Sequence, residues 1–139
     1  MTGLQVTDDE MRNVLVRAQD VAVVGVSARA DRPSHYVTQY LIDTGQYTVH
    51  VVNPGLDEVL GRTSYPSLQA LPVEPDLVVV FRRAQDLPPV LSDALAARAR
   101  GLWIQLGIVN DEVAAAAAAA GLDVVMDRCI MVEHRRLMG

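Results

Sequence analysis

The sequence predicts an α/β fold in which an open parallel sheet of about five strands lies between two layers of helices. Five short apolar runs alternate with helix-like segments, the pattern of a parallel sheet covered on both faces. The runs are 21–26, 48–52, 77–81, 102–106 and 123–126, each too short for a helix and most of them rich in valine. Between them stand residues that start and stop helices, and a length of 139 residues suits one domain, 1–139, with one core.

A helix from about Asp8 to Ala18 opens the chain, within an N-terminal segment 1–20 that packs on the rest. After the strand Val21 to Val26, Ser34 serves as N-cap of a crossover helix, with Val37, Tyr40 and Leu41 at helical spacing and Gly45 as its stop. After the strand Leu77 to Phe81, Asp86 caps a helix whose first turn tolerates Pro88 and Pro89. Val90, Leu91, Ala94 and Leu95 turn inward and Gly101 ends it. Asn110 caps the next helix, Asp111 and Glu112 complement its dipole, and Gly121 closes it. The alanine run Ala114 to Ala120 reads as close-packed helix, because alanine is the best helix former. A last short helix covers Met131 to Met138. With right-handed crossovers these elements make a Rossmann-like, three-layer α/β/α arrangement with strand order 3-2-1-4-5.

Half of the residues are hydrophobic, yet no apolar run approaches the roughly 20 residues that span a bilayer. The opening stretch carries Asp8, Asp9 and Glu10 and lacks the basic start and apolar core of a secretory signal, so the cytoplasm is the expected location. The single cysteine, Cys129, excludes an internal disulfide framework and a multi-cysteine zinc site, and no metal site is expected. A net charge of −5 argues against broad nucleic-acid binding. Any anionic ligand must be held locally. The chain has no lysine, so its fixed positive charge is all guanidinium, a planar group suited to bidentate phosphate contact.

In an open parallel sheet, ligands bind beyond the carboxyl ends of the strands where the strand order reverses. The loop from Gly25 to Ser34 leads into the first crossover helix, whose N-terminal N–H groups suit a pyrophosphate. Of the three glycines in a dinucleotide fingerprint only Gly25 is present, with Ser27 and Ala30 at the other two positions. At the tip of the second strand Val52-Asn53-Pro54 replaces the carboxylate that accepts from the ribose of NAD, which favours a nucleotide with extra phosphate. Phe81-Arg82-Arg83 ends the third strand. Adjacent strand residues point to opposite faces, so Arg82 is expected to face the ligand and Arg83 to sit in a solvated ion pair.

The ordered set Val24-Gly25-Val26-Ser27, Arg32-Pro33-Ser34, Val52-Asn53-Pro54, Val59-Leu60-Gly61-Arg62, Tyr65-Pro66-Ser67-Leu68, Val80-Phe81-Arg82-Arg83, Gln105-Leu106-Gly107 and Met126-Asp127-Arg128-Cys129, followed by Glu133-His134, resembles the stand-alone CoA-binding domain proteins. These are Rossmann-like relatives of the CoA-binding domain of succinyl-CoA synthetase. The resemblance implies coenzyme A, free or acylated, lying across the strand ends. By that resemblance Gly25 and Ser27 line the phosphate loop, while Arg32, Pro33 and Ser34 hold the phosphates. Asn53 and Pro54 flank the adenosine, and Phe81, Arg82, Gln105 and Gly107 border the path of the pantetheine arm. Cys129 falls in a loop that in the synthetase relatives sits near the CoA sulfur, with Asp127-Arg128 here in place of their Pro-Asn pair. Coenzyme A carries about −3.5 to −4 charge, which arginine and a helix N-terminus are suited to hold.

The phosphorylated histidine and ATP-grasp region of the synthetases lie beyond what this chain contains, and His35, His50 and His134 read as structural or solvent-facing. No catalytic residue is expected. The first expectation is therefore a non-catalytic CoA-binding carrier, sensor or delivery module. The alternatives are a NAD(P)-binding redox sensor and a CoA-ligase or acyl-CoA synthetase subunit needing a partner chain. No nucleic-acid or membrane partner is expected, and the apolar tail residues Leu137 and Met138 leave room for a homodimer contact.

Overall fold

The structure, a computed structural model, describes residues 6–139. Its strands are β1 (Asp20–Val24), β2 (Thr48–Val52), β3 (Glu58–Val59), β4 (Arg62–Tyr65), β5 (Leu77–Val80), β6 (Gly101–Ile104) and β7 (Asp123–Met126). The helices are α1 (Asp8–Arg17), α2 (Pro33–Asp43), α3 (Leu87–Ala96), α4 (Asp111–Ala119) and α5 (Ile130–Met138). One sheet runs β3-β4-β2-β1-β5-β6-β7, parallel except for the β3/β4 pair.

All five expected strands are present, but their order needs correction. Leu77–Val80 pairs directly with β1, and the position beyond β2 belongs to β4, which the apolar runs did not reveal. Counted over the six parallel strands the order is 3-2-1-4-5-6. Strand β4 reads Arg-Thr-Ser-Tyr and takes only two register pairs with β2 and two with β3, with Ser64 its one buried residue, so this short strand near the margin of the sheet needs no apolar run. The hairpin that introduces it turns on Leu60 and Gly61, both at positive φ, as a two-residue type I′ loop requires. Leucine is an unusual occupant of such a site, which hid the hairpin.

Valines of successive positions bury on opposite faces. Val21, Val23, Val49, Val51, Val79 and Trp103 meet α1, α2 and α5 through Met11, Leu15, Val37, Leu41 and Ile130. Ala22, Val24, Val78, Val80, Leu102 and Ile104 meet α3 and α4 through Leu87, Val90, Leu91, Ala94, Val113 and Ala117. Each fully buried valine is worth about 1.5–3 kcal/mol relative to exposure, so a strand buried on both sides belongs in the centre.

Three expected helix signals work differently. Arg32 is the N-cap of α2 and Pro33 its first residue, while Ser34 lies buried inside the first turn. Asp86 occupies the N-cap of α3 without bonding the helix, because its carboxylate accepts from Arg83 Nε at 2.9 Å. Gly101 does not end α3. It begins β6, where a Cβ would lie 3.0 Å from Leu77 Cδ1. Asn110 does cap α4, accepting from Val113 N at 3.1 Å, and Gly45 and Gly121 follow their helices at positive φ. Leu137 and Met138 pack on the cluster of their own chain.

At the point where the strand order reverses, β1 and β5 end side by side. Gly25 has φ 93°, and a Cβ there would stand 2.4 Å from the Phe81 carbonyl oxygen. Backbone cannot yield as a side chain would. We expect Gly25→Ala to lose about 2–4 kcal/mol of stability from the positive φ and the clash together, read as a lower urea midpoint at unchanged slope.

Candidate functional site

The loop after β1 folds onto itself before it reaches α2. Ser34 Oγ accepts from Ser27 N at 2.9 Å, Ser27 Oγ accepts from Arg29 N at 3.1 Å, and His35 Nδ1–H donates to the Ser27 carbonyl at 2.8 Å. Pro33 has no N–H, and the N–H groups of His35 and Tyr36 bond the Arg32 carbonyl. Among the described residues, only Ser34 of the first turn keeps a backbone N–H without a protein acceptor. The helix terminus thus presents fewer free donors than the sequence suggested, and arginine carries more of the task.

Beside this loop opens a cleft of about 780 Å³, within the range of small-molecule sites. It is lined by Gly25, Ser27, Arg32, Pro33, Ser34, Phe81, Arg82, Gln105 and Cys129, nine of the twelve expected residues. Arg29, Tyr36, Val37, Arg83, Leu106, Ile108, Met131 and Val132 join them. No aspartate or glutamate is among the lining residues. Arg29 pairs with Asp31 at 3.2 Å and Arg83 with Asp86 at 2.9 Å, while Arg32 and Arg82 have no carboxylate within 4.0 Å among the described residues. Arg82 Nε lies 3.5 Å from where a Gly25 Cβ would be, so the missing side chain lets this guanidinium rest over the loop. Arg83 has the expected ion pair and lines the cleft as well.

Three expected residues fall elsewhere. Asn53 ties the end of β2 to the phosphate loop, donating to the Val26 carbonyl at 2.8 Å and accepting from Gly55 N at 2.9 Å. Pro54 lines a second recess of about 210 Å³ with Val52, Pro66, Ser67 and Pro89, which shares Arg82 with the main cleft. Gly107 turns away at φ 84° and donates to Asp127 Oδ1 at 2.8 Å, leaving Leu106 and Ile108 to form the wall.

The far wall is held by groups that the sequence did not mark as structural. Gln105 is 4% exposed, and its Oε1 accepts from Ile130 N at 2.9 Å. Buried Trp103 donates from Nε1 to the Arg128 carbonyl at 2.9 Å. Between them Cys129 becomes the N-cap residue of α5 and borders the cleft. Helix α5 is fastened in turn to α1 and α2. Arg136 donates to both carboxylate oxygens of Asp8 at 2.8 Å and to buried Glu133, and this guanidinium holds the Asp8 carboxyl below its ordinary range.

With this geometry in view, residues 19–135 match the family described as the CoA binding domain. The chain belongs to the CoA binding domain family. It is 41% identical over 125 residues to the uncharacterized protein YneT of Bacillus subtilis, covering 90% of this chain and 92% of that one. A hypothetical protein from Pyrococcus horikoshii superposes with a TM-score of 0.92 at 36% identity, covering 96% of this chain and 94% of the other. The family reaches into larger proteins. An ADP-forming acetate–CoA ligase of Archaeoglobus fulgidus is 28% identical over 87 residues, which span 62% of this chain but 13% of the ligase.

In this member of the CoA binding domain family none of the three histidines lines the cleft, and each holds structure. His50 Nε2 bonds Asp20 Oδ1 at 2.9 Å on the amino side of the sheet. His134, expected to be structural or solvent-facing, is buried between Tyr40 and Tyr47. Its Nε2–H donates to Gln46 Oε1 at 2.8 Å and its Nδ1 accepts from Tyr40 OH at 2.7 Å. That arrangement needs a neutral ring, and burial holds the His134 pKa below its ordinary 6.5. As the pH falls through 6.5 the unfolded chain takes the proton first, so this contribution is complete above that value and declines below it. The urea midpoint should drop from pH 7.5 to pH 5, and His134→Asn should show a smaller drop from its own lower starting point.

Proposed function

We propose that the protein binds coenzyme A across the carboxyl ends of its central strands, as a non-catalytic carrier, sensor or delivery module. One observation carries the reading: in a chain of net charge −5, the main cleft is lined by four arginines and no carboxylate. Phosphates fit at Arg32 and Arg82, beside Ser27 and Ser34. The recess at Pro54 meets the cleft at Arg82 and also carries Asp86 and Asp93, so it suits the uncharged adenine rather than a phosphate, and the wall of Phe81, Gln105 and Cys129 suits the pantetheine arm. Besides arginine, the cleft's ionisable side chains are Tyr36 and Cys129 alone, with no histidine, lysine, aspartate or glutamate beside them, a sparse set for proton transfer that supports binding without chemistry. The likeness to a segment of a ligase favours one second reading, a CoA-ligase subunit, for which a co-purifying partner chain is the test.

Calorimetry with coenzyme A and NAD separates the main reading from a redox sensor. Coenzyme A should bind more tightly, because the end of β2 offers Asn53, already committed to two backbone groups, where NAD needs a carboxylate. Equal or tighter NAD binding would refute the proposal. Arg32→Ala should weaken coenzyme A about tenfold or more by removing a charge-assisted contact. Its unfolding midpoint should stay close to that of the parent, since Arg32 is exposed and without a carboxylate partner among the described residues.

A further inference from the structure

Resting on the coenzyme A reading, we propose that the cleft takes an uncharged aliphatic acyl thioester of coenzyme A in preference to the free thiol. The cleft has two unlike ends. All four of its arginines come from the loop between β1 and α2 and from the end of β5. The segments after β6 and β7 supply Leu106 and Ile108, then Met131 and Val132 from the first turn of α5. The sheet runs β1-β5-β6-β7, and neighbouring strands lie about 4.8 Å apart. The aliphatic end is therefore one to two strand widths beyond the arginines. Coenzyme A carries its thiol at the end remote from its phosphates, so a molecule anchored at the arginines directs its sulfur, and whatever is esterified to it, toward Leu106 and Val132.

The exposure of these side chains is what a free thiol leaves unexplained. Leu106 is 65% exposed and Val132 47%, and both line this open cleft. Contiguous exposed apolar surface beside a polar site marks a place where something apolar is covered. No charged residue lines this end, so a carboxylate at the tail of a dicarboxylic acyl group would lose hydration without a cation to meet it. An aliphatic chain meets no such cost.

The test is calorimetry on the full chain with coenzyme A and its acetyl, butyryl, hexanoyl and succinyl thioesters. Affinity should rise roughly two- to fourfold per added methylene, with the succinyl thioester weaker than the butyryl. Leu106→Asn should flatten that slope, which is read within the variant and so holds whatever its affinity for coenzyme A itself. Binding of coenzyme A with a flat series, or with the succinyl thioester tightest, overturns this inference and leaves the coenzyme A reading standing. A flat series together with a dimer in sedimentation that Leu106→Asn splits assigns the apolar end to a second copy instead, and overturns it equally. Failure of every one of these ligands to bind overturns the coenzyme A reading as well.

Discussion

The close passage of Gly25 over the Phe81 carbonyl is the constraint on which the rest of the site depends. Strands β1 and β5 must be neighbours for the sheet to reverse direction, and the loops that leave them diverge to α2 on one face and α3 on the other. A crevice opens wherever two such loops part. Here the loops part only after touching, so Arg82 lies directly over the turn that begins the first loop. Any side chain at position 25 would push β5 away and take the guanidinium with it.

Electrostatics of the whole chain and of the cleft have opposite signs, and the ion pairs explain how both persist. Arg29 and Arg83 keep exposed partners, Asp31 and Asp86, in pairs worth under about 1 kcal/mol. Such pairs restrain the loops without consuming the cations. Part of the remaining acidity sits on α1 and α4, where Asp8, Asp9 and Glu10, and Asp111 and Glu112, stand in first turns and suit the helix dipole. Acidity there serves folding and leaves the cleft untouched.

The parts of the fold legible in the sequence were those set by local physics: five valine-rich runs, an Asn110 cap, and glycines following two helices. What was not legible depended on neighbours. The short strand β4 draws its definition from pairing with β2 and β3, and its hairpin uses a leucine where turn chemistry expects asparagine or glycine. At the site, Gly25, Ser27, Arg32, Ser34 and Arg82 line the cleft, as their positions at strand ends led one to expect. Asn53 and Gly107 do not line it, and a polar group near a ligand site and a polar group bracing that site share one sequence appearance. Leu106 at the end of an apolar run and Val132 in the last helix are exposed at the cleft, which no local pattern distinguishes from an inward-facing position. The bracing by Gln105 and Trp103 joins segments about 25 residues apart, beyond any local pattern.

The cations that line the cleft are all guanidinium groups, which attract phosphate yet remain protonated and non-nucleophilic at physiological pH. A lysine in the same place would also attract an anion, but its amine, once deprotonated, would attack an activated carbonyl brought close to it. A thioester resting against these walls meets no primary amine from the lining side chains. For the acyl thioester proposed above, arginine in place of lysine removes the amine that would trap the acyl group.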